Sequence, residues 1–373
     1  FIEDARQESV DTVLALADVK AEGARLIVTG CLAERYGSEL AVALPEVDLV
    51  AGFGVPLLAS PPPAHAVSVT IGTKPPVPAF DLLNLPRPAA TAPWAYVKVA
   101  EGCDRACGFC AIPSFRGKQR SRDMASILTE IDQLGVQEIV LVAQDLASYG
   151  RDQGIGRRTI VSLVRAAAER VARVRLLYLY PSDLTDPLID AVCDTGVPYF
   201  DLSLQHVSPP LLRRMRRWGD GARFLGRIAD IRRREPDAAF RSNFIVGYPG
   251  ETEADHDALL GFVDKAQLDW CGFFAYSAEA GTYATGLDGI VDRSLVHERL
   301  AELTELQDRI TAERRDALIG REIEVLIDSA GIGRSHREAP EIDGVINVGA
   351  DLTVGSLTTV TVTGATGPDL DAA

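Results

Sequence analysis

Three of the chain's six cysteines stand within eight residues of one another, in the stretch EGCDRACGFC. They are Cys103, Cys107 and Cys110, spaced C-x₃-C-x₂-C, and neither a fourth cysteine nor a histidine follows close behind. Closely spaced thiolates select zinc or iron–sulfur clusters. A structural zinc site is closed by four protein ligands, whereas three ligands on a four-iron cluster leave one iron open for chemistry. We therefore favour a functional iron–sulfur cluster over structural zinc.

The composition narrows the class of protein. The 373 residues carry a net charge of −15, with 47% hydrophobic and 24% charged residues, which is ordinary for a globular protein. The acidic balance argues against a surface that grips DNA or RNA and fits a basic partner. No run reaches the length of a membrane span, no signal peptide is visible, and the cysteines lack the spacing of a disulfide scaffold. A cytoplasmic location is predicted.

Four segments differ in their patterns. Residues 1–58 predict a small α/β domain, and the Pro- and Ala-rich residues 59–92 predict a linker. Residues 93–318 alternate six apolar strands with helical stretches, which predicts an open, partial (β/α)₆ barrel. Residues 319–373 predict a small all-β, barrel-like domain. Because the chain starts at Phe1, almost inside a helical pattern, we expect further residues upstream.

Polar and glycine residues follow the predicted barrel strands, where α/β barrels place their chemistry. Gln144 follows the second strand, Gln205 the fourth, and the loop IVGYPGETE with Gly247 and Gly250 the fifth. Glycine allows a ligand to approach the backbone closely, although a plain strand–turn–helix connection also explains this loop. In the same loop, Thr252 and Asp255 predict a capping box that opens the next helix.

The cysteine motif, with an aromatic residue before its last cysteine, resembles that of the radical S-adenosylmethionine enzymes. The resemblance implies that Cys103, Cys107 and Cys110 hold a 4Fe-4S cluster whose open iron binds S-adenosylmethionine. Its reductive cleavage gives a 5′-deoxyadenosyl radical that removes hydrogen from an unactivated C–H bond. The cofactor does the hard step, and the protein aligns donor and target. The further cofactor contacts that we predict are Phe109, Gln144, Gln205, Gly247 and Gly250.

Within that superfamily the chain is similar to the methylthiotransferases over essentially its whole length. The similar segments are VTGCLAERYG, LVAQDLASYG, IVGYPGETE, FAYSAEAGT and the terminal β-domain. The resemblance implies two 4Fe-4S clusters, the second in the N-terminal domain, and a C-terminal TRAM domain that looks clipped at its end. Cys31 matches the third ligand of the auxiliary cluster, and its two partner cysteines are absent from this chain.

Two branches of the family compete. One methylthiolates an adenosine in transfer RNA, and the other forms β-methylthio-aspartate on the twelfth small-subunit ribosomal protein. Glu279, where the transfer-RNA branch carries arginine, favours the ribosomal-protein branch, as do LYLYPSDLTDPLIDAV and GRSHREAPEIDG. Residues 319–373 carry nine Asp and Glu against three Arg, which suits a basic ribosomal protein better than RNA. A non-catalytic metal-containing module that docks on ribosomes or RNA is a third interpretation.

Overall fold

A computed structural model describes residues 3–52, 89–154 and 159–373. The linker predicted over 59–92 lies outside these residues apart from its last four positions. The chain divides into two compact units. The first joins the N-terminal residues to Gly102–Lys118 and Ser277–Thr285, and the second takes the barrel strands and the C-terminal residues. The three-cysteine loop therefore belongs to the same compact unit as Cys31.

The first unit is a small α/β layer, as the sequence predicts. Its elements are α1 (Glu3–Asp18), β1 (Ile27–Thr29), α2 (Cys31–Ala43), β2 (Leu49–Ala51) and α3 (Ile112–Arg116). β1 and β2 pair in parallel, with Ile27 opposite Leu49. Buried Val28 and Leu40 contribute to an apolar core against which Val13 of α1 packs.

The second unit is built on six parallel strands. Its first eight strands are β3 (Trp94–Lys98), β4 (Ala100–Glu101), β5 (Arg120–Ser121), β6 (Glu138–Val142), β7 (Arg173–Leu176), β8 (Tyr199–Gln205), β9 (Ala239–Val246) and β10 (Trp270–Ala275). β3, β6 and β7 form one parallel sheet, β8, β9 and β10 form another, and β4 and β5 are a short antiparallel pair. A parallel bridge between Leu179 and Leu202 joins the two larger sheets. The six strands follow one another around an open barrel, so the predicted (β/α)₆ fold is confirmed.

Helices connect the barrel strands. They are α4 (Met124–Leu134), α5 (Ile160–Ala168), α6 (Asp186–Cys193), α7 (Pro209–Arg214), α8 (Gly221–Arg234), α9 (Glu253–Ala266) and α10 (Arg293–Asp316). In α5, Ile160, Leu163, Val164 and Ala167 are buried. Their three- and four-residue spacing places them on one helix face, which packs against the sheet.

One helix prediction is wrong. The pattern over 208–234 predicts a single helix, but the structure interrupts it between α7 and α8. Gly219 in the interruption has φ 112, and a Cβ there would lie 2.3 Å from the ring of Phe224. The chain therefore turns at a position that only glycine can occupy.

The C-terminal residues form a closed β-barrel. Its strands are β11 (Glu322–Ser329), β12 (Ile332–Arg334), β13 (Ile346–Asn347), β14 (Leu357–Thr366) and β15 (Asp369–Ala372), in the order β11-β12-β13-β15-β14. Val325, Ile327, Val360, Val362 and Leu370 fill its core. On β14, Val360 and Val362 alternate with exposed threonines, as expected for a sheet with one buried face. The predicted small β-domain is confirmed.

No helix in the described ranges is both long and apolar enough to span a membrane.

Candidate functional site

The three cysteines lie on a loop whose backbone closes on itself. The amide of Cys103 donates a hydrogen bond of 3.1 Å to the carbonyl of Gly117. Gly102 enters the loop with φ 80, and a Cβ there would lie 2.2 Å from the carbonyl oxygen of Lys118. Only glycine tolerates that approach. The residue that precedes the first cysteine is therefore required by the loop geometry.

The thiols on this loop are chemically available. None of the three is in a disulfide, Cys103 is buried, and Cys107 and Cys110 are half-buried. The amide of Arg105 donates to the sulfur of Cys103 over 3.4 Å, and the amide of Cys110 donates to the carbonyl of Cys107 over 3.2 Å. Hydrogen bonds to cysteine sulfur help to set the potential of iron–sulfur clusters. The loop thus carries three thiols and supplies a hydrogen-bond donor to one of them.

This donor set fits an iron–sulfur cluster better than a single metal ion. In the part of the chain that the structure describes, no group of three or more His, Cys, Asp or Glu side chains is arranged to hold one ion. Three thiolates with no fourth cysteine or histidine close by match the donor set of a 4Fe-4S cluster that keeps one iron open. Structural zinc, which needs four close ligands, is the poorer fit.

Cys31 is the first residue of α2 and is half-buried. Its sulfur accepts a hydrogen bond from Nη2 of Arg116, a residue that is only 8% exposed and ends α3. Cys31 also lines a cavity of about 510 Å³ together with Arg6, Tyr36 and Glu279. A cavity of this size beside the thiol has room for a group larger than one ion.

Glu279 belongs to the segment Ser277–Thr285, which packs in the same unit. Its carboxylate pairs with Arg35 at 2.9 Å, and both side chains are largely buried. In the same segment, the amide of Ala284 donates to the carbonyl of Gly108 over 2.8 Å. Glu279 is therefore held by an ion pair to α2.

The predicted strand-end residues take these positions. Gln144 follows β6 and Gln205 ends β8, both half-buried in the second unit, while Phe109 lies half-buried in the first. Gln205 has φ 71, and the pairing of β8 with β9 shifts register between Leu202 and Gln205. Such strained strand ends are concentrated at functional sites. A role for the three side chains in cofactor binding stays a prediction.

The glycines of the loop after β9 are required by the protein's own packing. Gly247 has φ 78, and a Cβ there would lie 2.4 Å from Val296. Gly250 has φ 87, and a Cβ there would lie 2.8 Å from Arg214. Both glycines are thus explained without a ligand, which is the plainer of the two sequence interpretations. Their contact with a cofactor stays a prediction, and the capping box of Thr252 and Asp255 is confirmed.

Glu251 fixes the backbone of this glycine loop, a role that the sequence pattern does not predict. Its carboxylate accepts from the amides of Gly247 and Tyr248, over 2.6 and 3.3 Å. Nη1 of Arg299 on α10 donates to it over 2.9 Å, and both side chains are buried. Burial raises the pKa of Glu251, although these donors oppose the rise. In the sequence, the role of Glu251 is suggested only by its position next to Gly250. No sequence pattern points to Arg299.

Two arginines at or just after the end of α7 donate hydrogen bonds to backbone carbonyls near the carboxyl ends of the strands. Arg214 donates from Nε to the carbonyl of Pro249 over 2.8 Å. Arg217 donates to the carbonyl of Ser203, and its guanidinium lies 4.1 Å from the ring centroid of Tyr180. These two side chains therefore hold loops at the carboxyl ends of the strands, and they are not part of a uniformly solvated basic face.

Three family models match successive parts of the chain. They are the uncharacterized protein family UPF0004 over residues 1–52, the radical SAM superfamily over residues 97–263, and the TRAM domain over residues 319–373. The radical SAM match spans the three-cysteine motif, and membership of this superfamily implies a 4Fe-4S cluster and S-adenosylmethionine.

Curated relatives match nearly the whole chain. A ribosomal protein uS12 methylthiotransferase RimO from Cutibacterium acnes is 41% identical, over 99% of this chain and 87% of that protein. The protein of the same name from Moorella thermoacetica is 43% identical, over 97% of this chain and 86% of that protein. Among solved structures, coproporphyrinogen III oxidase HemN from Escherichia coli has 16% identity and a TM-score of 0.44, over 58% of this chain and 53% of that one.

Proposed function

This chain belongs to the ribosomal protein uS12 methylthiotransferase RimO family, and we propose that it is a radical enzyme that forms β-methylthio-aspartate on that ribosomal protein. The observation that carries the proposal is the loop of three cysteines outside any disulfide, within a chain about 40% identical to RimO proteins along its length. The alternative is methylthiolation of an adenosine in transfer RNA. A non-catalytic module that docks on ribosomes or RNA is less well supported.

Cys103, Cys107 and Cys110 hold the radical-generating cluster in this proposal. When bound, the cluster supplies the electron that cleaves S-adenosylmethionine into methionine and a 5′-deoxyadenosyl radical. The protein's part is to hold the three thiols on a loop of fixed backbone and to donate the Arg105 amide to the first sulfur. Phe109, Gln144, Gln205, Gly247 and Gly250 are the proposed contacts to S-adenosylmethionine.

Cys31 is the proposed ligand of a second, auxiliary 4Fe-4S cluster. The cavity of about 510 Å³ beside its sulfur supports this assignment. Two further cysteine ligands are implied by the family resemblance and are absent from this sequence. In this proposal one S-adenosylmethionine supplies the radical and another supplies the methyl group.

The C-terminal β-domain is the proposed docking site for the basic ribosomal protein, which places the reaction in the cytoplasm. Of its three arginines, Arg334 and Arg337 are buried, and exposed Arg321 pairs with Asp237 at 2.9 Å. Burial lowers the pKa of His336 to about 4, so this histidine adds no charge at neutral pH. The exposed acids of the domain are Glu322, Glu324, Glu341, Asp351 and Asp371. An acidic outer surface attracts a basic protein and repels RNA.

Anaerobic reconstitution with iron and sulfide tests the radical chemistry. The protein should bind iron and, with dithionite, convert S-adenosylmethionine to 5′-deoxyadenosine. Cys107→Ser should lose that turnover, whereas Cys193→Ser, which removes a free thiol on α6, should keep it. Zinc in place of iron, or no 5′-deoxyadenosine, would contradict the radical mechanism and favour the docking module.

Mass spectrometry separates the two enzyme branches. The reconstituted enzyme is incubated with ribosomal protein uS12 and with transfer RNA in parallel. We expect the methylthio group on one aspartate of the protein. A modified adenosine beside unmodified uS12 would instead assign the chain to the transfer-RNA branch.

A further inference from the structure

A loop of the β-domain enters the amino-terminal end of the partial barrel. This floor loop, residues 335–343, connects β12 to β13. Ala339 is 0% exposed and belongs to an apolar cluster with Val140, Tyr199 and Trp270 of three barrel strands. The starts of the strands are the end of an α/β barrel opposite its catalytic loops. The β-domain thus reaches into the amino-terminal end of the barrel, the end that serves stability and not catalysis.

Barrel side chains satisfy the backbone of the floor loop. Nε1 of Trp270 on β10 donates to the carbonyl of Arg337 over 2.7 Å. Nη1 of Arg175 on β7 donates to the carbonyl of His336 over 2.9 Å. Buried carbonyls need such partners, because an unpaired one costs about 1–3 kcal/mol. The loop is therefore bonded to two separate strands of the barrel.

Buried ion pairs tie the same elements together. Arg315 of α10 pairs with Glu338 of the floor loop at 2.5 Å, and neither is exposed by more than 4%. Glu138 of β6 pairs with Arg175 at 2.8 Å and with Arg334 of β12 at 3.3 Å, again among buried side chains. If its partner moved away, each of these charged groups would be left buried without a counter-charge.

Two acidic residues at the end of the loop contact side chains of the barrel interior. Oδ2 of Asp343 accepts from the hydroxyl of Tyr199 over 2.6 Å, and Oδ1 lies 3.4 Å from Nε of Arg241 on β9. Burial raises the pKa of Asp343 to about 6, so it is still ionised at neutral pH and pairs with Arg241. Oε2 of Glu341 accepts from the hydroxyl of Tyr96 on β3 over 3.1 Å.

We propose that residues 335–343 are the floor of the barrel interior, and that they fix the β-domain to the barrel as a rigid platform. Among the described residues of the second unit, this floor lies at the amino-terminal end of the strands, opposite the carboxyl ends that Gln144 and Gln205 follow. A partner bound on the outer face of the β-domain is presented in one orientation, because the domain cannot swing on a flexible tether. The orientation of a bound partner rests on the proposed function, whereas the assignment of residues 335–343 as a floor does not.

A native thiol reports on the floor. Cys271 on β10 lines a cavity of about 520 Å³ that Arg241 and Asp343 also line. The thiol is half-buried, and burial raises its pKa, which slows its reaction. Cys193 on α6 serves as the reference thiol because it lies outside that cavity.

The test uses the full chain without cofactors, so it is independent of activity. Asp343→Asn removes the charge opposite Arg241, and Tyr199→Phe removes only the hydroxyl that donates to Asp343. Both variants should raise the alkylation rate of Cys271 roughly fivefold, with Cys193 unchanged. Hydrogen exchange should accelerate in peptides of β8 and β9. Asp351→Asn, at an exposed acid of the same domain, should change neither readout.

The proposal is overturned if faster exchange is confined to residues 319–373 while β8, β9 and Cys271 behave as in the parent protein. That result would describe a separable module. If Asp343→Asn does not fold, Tyr199→Phe tests the same contact with a smaller change to the protein. Neither readout involves turnover, so the two proposals are tested separately. An inactive enzyme would not contradict the floor proposal, and a mobile floor would not contradict the assigned reaction.

Discussion

Arg116, at the end of the helix that follows the three-cysteine motif, donates a hydrogen bond to the sulfur of Cys31 at the start of α2. Both residues belong to the first compact unit. The guanidinium is only 8% exposed, so it is committed to the protein interior. The segment that carries the proposed radical cluster is thus in direct contact with the cysteine proposed for the auxiliary cluster.

Removing this donor should expose the Cys31 thiol. We expect Arg116→Met to raise the alkylation rate of Cys31 in the cofactor-free chain by roughly tenfold, because a hydrogen bond to a charged donor contributes about 1.5 kcal/mol. Peptide-specific mass spectrometry measures the rate, with Cys193 as internal reference. Arg151→Met, at an exposed position outside that unit, is the matched control. Equal Cys31 rates in the two variants would contradict the contact.

Removal of Arg299 from its buried ion pair with Glu251 should destabilise the protein strongly. Arg299→Met leaves the buried carboxylate of Glu251 without its cation, and breaking such a pair costs about 3–5 kcal/mol. We therefore expect a clear loss of free energy of unfolding in urea. Arg309→Met, at a 58%-exposed side chain of the same helix, should stay within about 0.5 kcal/mol of the parent. A loss of similar size in both variants would mean that the effect comes from helix α10 itself.

The barrel and the β-domain were predictable because their sequences repeat a local pattern. The strand predicted from WAYVKVA is β3, and the apolar run EIVLVA contains β6. The capping box at Thr252 was equally local. Each of these signals depends on neighbours within a few residues, which is what periodicity and capping rules detect.

The floor loop was not predictable, because its partners are remote in sequence. Glu138 and Arg334 are 196 residues apart, yet they form one buried network. Within β7, Arg173 and Arg175 interrupt the apolar pattern as if they faced solvent, but both are buried. Their charges are matched by residues that only the fold brings near. The same limit hid Arg299, whose carboxylate partner lies 48 residues away.

Acid should weaken the floor through Glu338. Burial would raise its pKa, but Arg315 and Ser335 outweigh that effect and lower the pKa from 4.5 to about 2. A lowered folded-state pKa stabilises the protein above the ordinary value, and this stabilisation is lost as pH falls from about 4.5 to about 2. The shift corresponds to about 3 kcal/mol at neutral pH.

Glu338→Gln should therefore be less stable than the parent at pH 7, and the difference should shrink by pH 3. Denaturant unfolding at the two pH values measures it. Glu322→Gln, at an exposed carboxylate of the same domain, is the control and should show little difference at either pH. A Glu338→Gln deficit that is the same at pH 7 and pH 3 would rule out the ionised carboxylate as its source.

Charge reversal on the outer face of the β-domain should weaken binding of the basic partner. Glu322 and Asp371 are exposed on β11 and β15. We expect the double substitution to lysine to lower the affinity for uS12 by roughly tenfold at low salt, and less at high salt, because the attraction is screened. Fluorescence anisotropy with labelled uS12 measures the affinity. Asp257→Lys, at an exposed position of α9, should have a much smaller effect. If Asp257→Lys weakens binding as much, net charge and not the β-domain surface steers the partner.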